Sequence, residues 1–123
     1  MFVWGSIQKG ALLCEQVELD EAYNLLNEAR RTRVHYFGKD HELVADTDQW
    51  LGNVMREDGN LSEALEYFKI ALRIKKLRLG ENHEDVANAM HNMAIVLDDL
   101  HKFNLSLGFY KEVRQLKRGT NEI

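Results

Sequence analysis

The chain has 123 residues and a formal net charge of -4, with 45% hydrophobic and 29% charged residues. This balance is typical of one soluble globular domain and excludes a disordered or fibrous chain. An acidic chain lacks the electrostatic footprint of nucleic-acid binding, so no nucleic-acid partner is expected. A single cysteine cannot form an internal disulfide, which favours a reducing compartment such as the cytoplasm.

The N-terminal residues do not have the pattern of a signal peptide. They begin apolar, but no basic stretch precedes them, and Gly5 and Lys9 interrupt the apolar run. Elsewhere no apolar run approaches the roughly 18 residues that a membrane helix needs. We therefore expect neither a signal peptide nor a membrane span.

Six helices are predicted, because apolar residues recur with helical rather than alternating spacing and Pro is absent. The first covers residues 2–16 and the second about 20–37, where Gly38 ends it. The other four carry their apolar residues over 44–55, 61–79, 86–100 and 103–116. Residues 119–123 are predicted to be a frayed tail.

Capping residues support these helix starts. Asp20, Ser62 and Asn104 share one spacing, and each can accept a free backbone N–H in the first turn of a helix. Asp40 and Asn82 are separated by the same number of residues as Asp20 and Ser62. They are predicted to cap the third and fifth helices.

The chain also repeats itself with a period of 42 residues, the separation of Gly38 from Gly80. Such a period is typical of stacked supersecondary units, here repeats of about 1–38, 39–80 and 81–118 in one domain, 1–118. Small residues recur where paired helices must approach closely, at Gly10, Gly52 and Ala94. Their predicted large partners share the period and are Leu26, Phe68 and Tyr110.

No catalytic, metal or cofactor site is predicted. Five histidines are present, but His41 and His83 repeat with the period, so one structural role explains both better than a metal does. Cys14 lies on an apolar stripe without a nearby base, and a glycine-rich phosphate loop is missing.

The spacing of Leu51-Gly52, Gly59, Ala64, Phe68 and Ala71 resembles the tetratricopeptide repeat. The longer period is similar to that of kinesin light chains. Departures occur in the end repeats, where Lys9 and Val17 replace Leu51 and Gly59, and where Ser106 and Val113 replace the two alanines. The resemblance implies an all-α, right-handed solenoid of three antiparallel helix pairs, in which the first helix of each pair lines a concave groove.

The resemblance also implies which residues line that groove. Asn92 matches the family asparagine that binds the backbone of a peptide, and its counterpart one period earlier is Trp50. Trp50 is either an exposed anchor for a ligand or a residue packed between repeats. The candidate peptide-binding residues are Asp46, Gln49, Trp50, Asn53, Arg56, Asn88, His91, Asn92 and Ile95.

These features predict a non-enzymatic protein-interaction module that holds an extended peptide or a partner helix. Because acidic residues outnumber basic ones along the lining helices, the expected ligand is neutral or basic. The alternative is an architectural fragment that stacks through its ends into a homo-oligomer. Apolar residues at the two ends suggest this stacking, at Trp4, Ile7, Ala11 and Cys14 and at Phe109, Tyr110, Val113 and Leu116.

Overall fold

The structure, a computed structural model, describes the backbone of residues 2–121 and the side chains of residues 15–117. It contains five α-helices and, within residues 2–121, no strand. The predicted all-α class is confirmed. The helices are α1 (Phe2–Phe37), α2 (Glu42–Glu57), α3 (Leu61–Leu79), α4 (Glu84–Asp99) and α5 (Phe103–Asn121). Within the described part of the chain, no helix is both long and apolar enough to cross a membrane.

The helix boundary predicted before Asp20 is wrong. Residues 2–16 and 20–37 belong to one continuous helix, α1, and Gln16 Nε2 donates along it to Asp20 Oδ1 at 3.1 Å. Val17 occupies the position of Gly59 and His101, which make the later turns with φ values of 86° and 61°. A β-branched residue strongly disfavours this left-handed conformation, so the chain continues as a helix.

Histidines, rather than the residues before them, cap α2 and α4. The Nδ1 atoms of His41 and His83 each accept the backbone N–H two residues later, at 3.1 and 3.0 Å. The caps predicted at Asp40 and Asn82 are therefore misplaced by one residue. The expectation of one structural role for both histidines is confirmed.

Asp40 is bound by α3 instead. Its carboxylate accepts from Arg73 Nη2 at 3.1 Å, and its carbonyl oxygen accepts from Arg78 Nε at 2.7 Å. The caps predicted at Ser62 and Asn104 are also wrong, because both residues lie inside the first turns of α3 and α5.

Helices that follow each other in the chain pack together, as in a stack of repeats. The larger apolar cluster joins residues of α2, α3, α4 and α5 around Phe68, which is 1% exposed. Gly52 permits this packing, because a Cβ atom placed on it would lie 2.6 Å from Cε1 of Phe68. The predicted close approach of Gly52 and Phe68 is confirmed.

The third repeat accommodates a serine at a position where the second has an alanine. Ser106 is 2% exposed, and its Oγ donates to the carbonyl oxygen of Ala94 at 3.0 Å. Because the buried hydroxyl is satisfied, this departure from the repeat pattern does not disturb the pairing of α4 with α5.

The contact between α1 and α2 includes several polar contacts, beside the packing of Val34 against the cluster that contains Val44 and Ala45. Arg30 Nε lies 2.7 Å from Oδ1 of Asp48, whose side chain is fully buried. Nearby, Arg33 Nη1 donates to the carbonyl oxygen of Leu43 at 2.8 Å and to Thr47 Oγ1 at 2.9 Å. Hydrogen bonds to charged groups therefore hold the second repeat against α1.

The end of the chain differs from the prediction in two ways. Helix α5 continues to Asn121, into the predicted tail. Val113 is buried, and Phe109 and Leu116 pack against the same cluster, so they are not the exposed apolar residues expected there. The predictions for the side chains of Trp4, Ile7, Ala11 and Cys14 lie outside the described residues.

Candidate peptide-binding surface

All nine candidate binding residues lie on α2 and α4, the helices that begin at the two histidine caps. We call their accessible face the α2/α4 surface. Both helices are the first members of their pairs and pack against the second members, α3 and α5. On this surface Trp50, Asn53, Arg56, Asn88 and His91 are exposed, and Asp46, Gln49, Asn92 and Ile95 are half-buried.

Trp50 is the large apolar side chain of this surface. It is 62% exposed, so the alternative in which it packs between repeats is wrong. The residue one period later, Asn92, is half-buried on α4. The exposed ring of Trp50 is an apolar surface on α2, and the nearby residues Gln49 and Asn53 of the same helix are polar.

Asp46 is neutralised by a cation from the second helix of its own pair. Lys75 Nζ lies 3.0 Å from Oδ1 of Asp46, and the lysine side chain is only 7% exposed. Sequence reasoning missed Lys75, although a signal was present. Cations stand at this position in all three repeats, at Arg33, Lys75 and Lys117.

A second ion pair connects the C-terminal ends of α2 and α4. Arg56 Nε donates to Oδ2 of Asp99 at 2.9 Å, with both side chains roughly two-fifths exposed. An exposed pair of this kind contributes about 0–1 kcal/mol to stability. It occupies the one arginine among the candidate residues.

His91 has a packing role on this surface. Its ring lies edge-on to Tyr110 of α5, with 5.7 Å between the ring centroids. Among the described side chains, no group of three or more histidine, cysteine, aspartate or glutamate residues is arranged to hold a metal ion.

A separate cleft of about 410 Å³ lies between α1 and α3. Tyr23 and Tyr67 line it with Glu63 and Glu66. Burial, with a smaller contribution from the Tyr23 hydroxyl, raises the pKa of Tyr67 to about 12. Tyr67 therefore remains protonated at neutral pH.

Comparison with known proteins agrees with this architecture. The tetratricopeptide repeat family matches residues 43–119, from α2 to α5. The match covers more than half of the chain, and the chain belongs to this family of protein-interaction modules. A search of curated proteins finds no match.

A solved structure of kinesin light chain nearly identical TPR-like repeats from Podosopora anserina has the same fold. It superposes with a TM-score of 0.76 at 17% sequence identity. The alignment covers 94% of this chain and 55% of the other. The chain thus spans about half the length of that relative. At this identity, the likeness shows the fold alone.

Proposed function

We propose that the protein is a non-enzymatic interaction module that binds an extended peptide, or a partner helix, on the α2/α4 surface. The observation that carries the proposal is the 62% exposure of Trp50 on a first helix of the repeat. Large aromatic side chains at the centre of a surface are frequent energetic anchors in protein interfaces. Family membership and the polar side chains around Trp50 support the same reading.

The polar residues suggest how a ligand is held. Asn92 and Asn53 each present both a donor and an acceptor, which suits the backbone of an extended chain. An apolar ligand side chain would pack against Trp50. This division of roles makes affinity depend on backbone contacts and on one apolar anchor.

The charges of the surface favour a neutral or basic segment over one ending in a gripped carboxylate. Gripping a carboxylate needs charge-assisted donors, and the cations near the surface, Arg56 and Lys75, already pair with acids. Glu57 and Asp98 remain exposed. They would accelerate association with a basic ligand and make it sensitive to salt.

A peptide array followed by solution titration tests the proposal on the full chain. Trp50→Ala and Asn92→Ala should each weaken binding of the selected peptide by about 1–3 kcal/mol while helicity is unchanged. Matched controls are Leu77→Ala, which removes a 63% exposed leucine from α3, and Asn104→Ala, which removes an exposed asparagine from α5. The controls should bind like the wild type.

Two results would overturn the proposal. One is an array in which acidic C-terminal peptides bind best. The other is equal binding by the Trp50→Ala, Asn92→Ala and control variants. The first result would exclude a neutral or basic segment as the preferred ligand, and the second would leave the α2/α4 surface without a role as a peptide site.

The second candidate function is architectural, with copies stacked end to end. It is supported by the exposed apolar side chains at the start of α5, where Phe103, Leu105 and Leu107 are 58%, 57% and 53% exposed. Stacking through this end would produce a mass that rises with concentration and falls in the Leu105→Lys variant. For either function, the single cysteine supports placement in the cytoplasm.

A further inference from the structure

The inner face of α1 is less covered than the equivalent face of α3. Four positions of α3 are buried, whereas the positions of α1 one period earlier are half-buried. The buried set is Ala64, Leu65, Phe68 and Leu72, and the half-buried set is Ala22, Tyr23, Leu26 and Arg30. Leu25 on α1 is 67% exposed. Helix α3 packs against both α2 and α4, whereas the principal partner of α1 is α2.

Residues 2–15 occupy the position of a covering helix in the repeat, although Lys9 stands where α2 has the buried Leu51. One period later this segment aligns with α2, which covers α3, and two periods later it aligns with α4, which covers α5. Gly10 aligns with Gly52, whose backbone meets the ring of Phe68, and Leu26 aligns with Phe68. The segment therefore carries a small residue at the position that would meet Leu26.

Residues 2–15 cannot reach Leu26 of their own chain. They belong to the same continuous helix as Leu26, and about 1.5 Å of rise per residue puts Gly10 roughly 24 Å from Leu26 along the helix. Folding back would require a left-handed residue at Val17, where a β-branched side chain opposes it. The covering segment and the face that it matches are held apart within one molecule.

We propose that two copies of the chain exchange these segments, so that residues 2–15 of each copy cover the inner face of α1 in the other. The two α1 helices then run antiparallel, with Gly10 of each opposite Leu26 of its partner. The twofold axis passes near Glu18, the midpoint of these two positions. The interface is isologous and closes on itself, so assembly stops at two chains.

A cleft beside α1 provides space for the exchanged segment. It has a volume of about 550 Å³, and Leu19, Ala22 and Val54 form its apolar part, with glutamates at its edge. It lies between α1 and the C-terminal half of α2, on the side where a first helix of the first repeat would pack. The partner copy would thereby supply the helix next to α2. The exchange does not rest on peptide binding by the α2/α4 surface.

A turn-restoring variant of the full chain tests the exchange. Gln16→Asp, Val17→Gly and Glu18→Asn together copy the turn Asp58-Gly59-Asn60, in which Gly59 has φ 86°. Light scattering should give twice the 14.3 kDa chain mass for the wild type and one chain mass for this variant, with equal helicity. Val17→Ala is the matched control, because it permits the continuous helix and should remain a dimer.

A pair of glycine substitutions tests the register. Gly10→Leu places a large side chain against the partner's Leu26 and should raise the dimer dissociation constant at least about tenfold. Gly5→Leu makes the same chemical change in the same segment, but its opposite position is the exposed Arg31. It should leave the dissociation constant within about twofold of the wild-type value.

The distance between the Cys14 residues of the two copies provides an independent test of the exchange. In the antiparallel pair, the two Cys14 Cα atoms lie about 15 Å apart, from about 1.5 Å of rise per residue and roughly 9 Å between helix axes. Spin labels on Cys14 should therefore show a short intermolecular distance. A single-chain mass at every concentration would overturn the exchange, as would a turn variant that stays dimeric. A dimer with distant labels would instead indicate end-to-end stacking and would overturn it as well.

Discussion

Arg30 and Asp48 form a part-buried ion pair at two positions that are apolar in the next repeat. Arg30 Nε donates to Asp48 Oδ1 at 2.7 Å, and the carboxylate is fully buried while the arginine is 31% exposed. One period later these positions are Leu72 and Met90, which belong to the same apolar cluster. The molecule therefore contains its own apolar version of this contact.

Placing the same apolar residues, leucine and methionine, at positions 30 and 48 should stabilise the folded state. Replacing a buried ion pair with packed apolar residues is commonly neutral or stabilising by about 1–4 kcal/mol, because neither charge has to leave water. We expect this gain for the double variant Arg30→Leu, Asp48→Met. Arg30→Leu alone should cost about 3–5 kcal/mol, since it leaves the buried carboxylate unpaired. Asp48→Met should cost less, because the guanidinium can reach solvent.

Urea unfolding of the wild type, both single variants and the double variant measures this coupling. A double variant less stable than both single variants would show that the ion pair is needed for α1 to pack on α2.

The same carboxylate should make stability depend on pH. Burial raises the pKa of Asp48 from its ordinary value of 3.8, and this effect exceeds the opposing influence of Arg30 and Arg73. A raised pKa means that the folded state binds the proton more tightly than the unfolded state. This contribution to stability is full below pH 3.8 and is lost as pH rises towards the pKa of the folded state.

Asp48→Asn removes this titration and isolates its effect. The stability of the wild type minus that of the variant should fall as pH rises above about 4, in urea unfolding measured at a series of pH values. Asp98→Asn, at an exposed aspartate, is the matched control. A difference that grows with pH would mean that Arg30 dominates over burial and that the pKa of Asp48 is lowered.

Sequence periodicity was sufficient for the helical class and for the presence of helices α2 to α5. The contact between Gly52 and Phe68 followed from spacing alone, because a repeat brings the same positions together in each unit. The continuous helix of the first repeat could not be predicted in this way. It depends on the backbone conformation available to one residue, Val17, and a pattern of apolar residues does not report that conformation.

The polar contacts were harder to predict than the apolar ones. Asp40 and Asn82 are good capping residues by type, yet the rings of His41 and His83 take that role. Lys75 belongs to α3 but neutralises Asp46 on the α2/α4 surface. Contacts of this kind depend on which side chain reaches across between elements, and residue type alone does not fix that.

The histidine caps should be replaceable by smaller capping side chains. His83→Ala removes the acceptor for the Asp85 N–H, which His83 Nδ1 binds at 3.0 Å, and should cost about 0.5–2 kcal/mol. His83→Asn keeps an acceptor at this position and should recover most of the loss. Thermal unfolding of both variants at neutral pH provides the measurement. Equal losses in the two variants would show that the ring contributes through packing and not through the cap.

Two helical glycines should respond in opposite directions to alanine. Gly52→Ala places a Cβ atom 2.6 Å from the ring of Phe68, so the core must shift, at a cost of about 1–3 kcal/mol. Gly108→Ala meets nothing within 4 Å and should stabilise α5 by about 0.5–1 kcal/mol, because alanine loses less backbone entropy in a helix. A loss of stability in Gly52→Ala together with a gain in Gly108→Ala would separate the effect of packing from that of helix propensity.

Removing the ring completes this test. Phe68→Ala should cost about 3–5 kcal/mol, since it leaves a cavity in the largest apolar cluster. In the Phe68→Ala background, Gly52→Ala should no longer destabilise, because the atom that it would meet is gone, and its helix propensity should then make it mildly favourable. Urea unfolding of the four proteins gives the coupling free energy directly. A cost for Gly52→Ala that is the same with and without the Phe68 ring would show that the glycine serves another neighbour, and that α2 and α3 do not meet at these two residues.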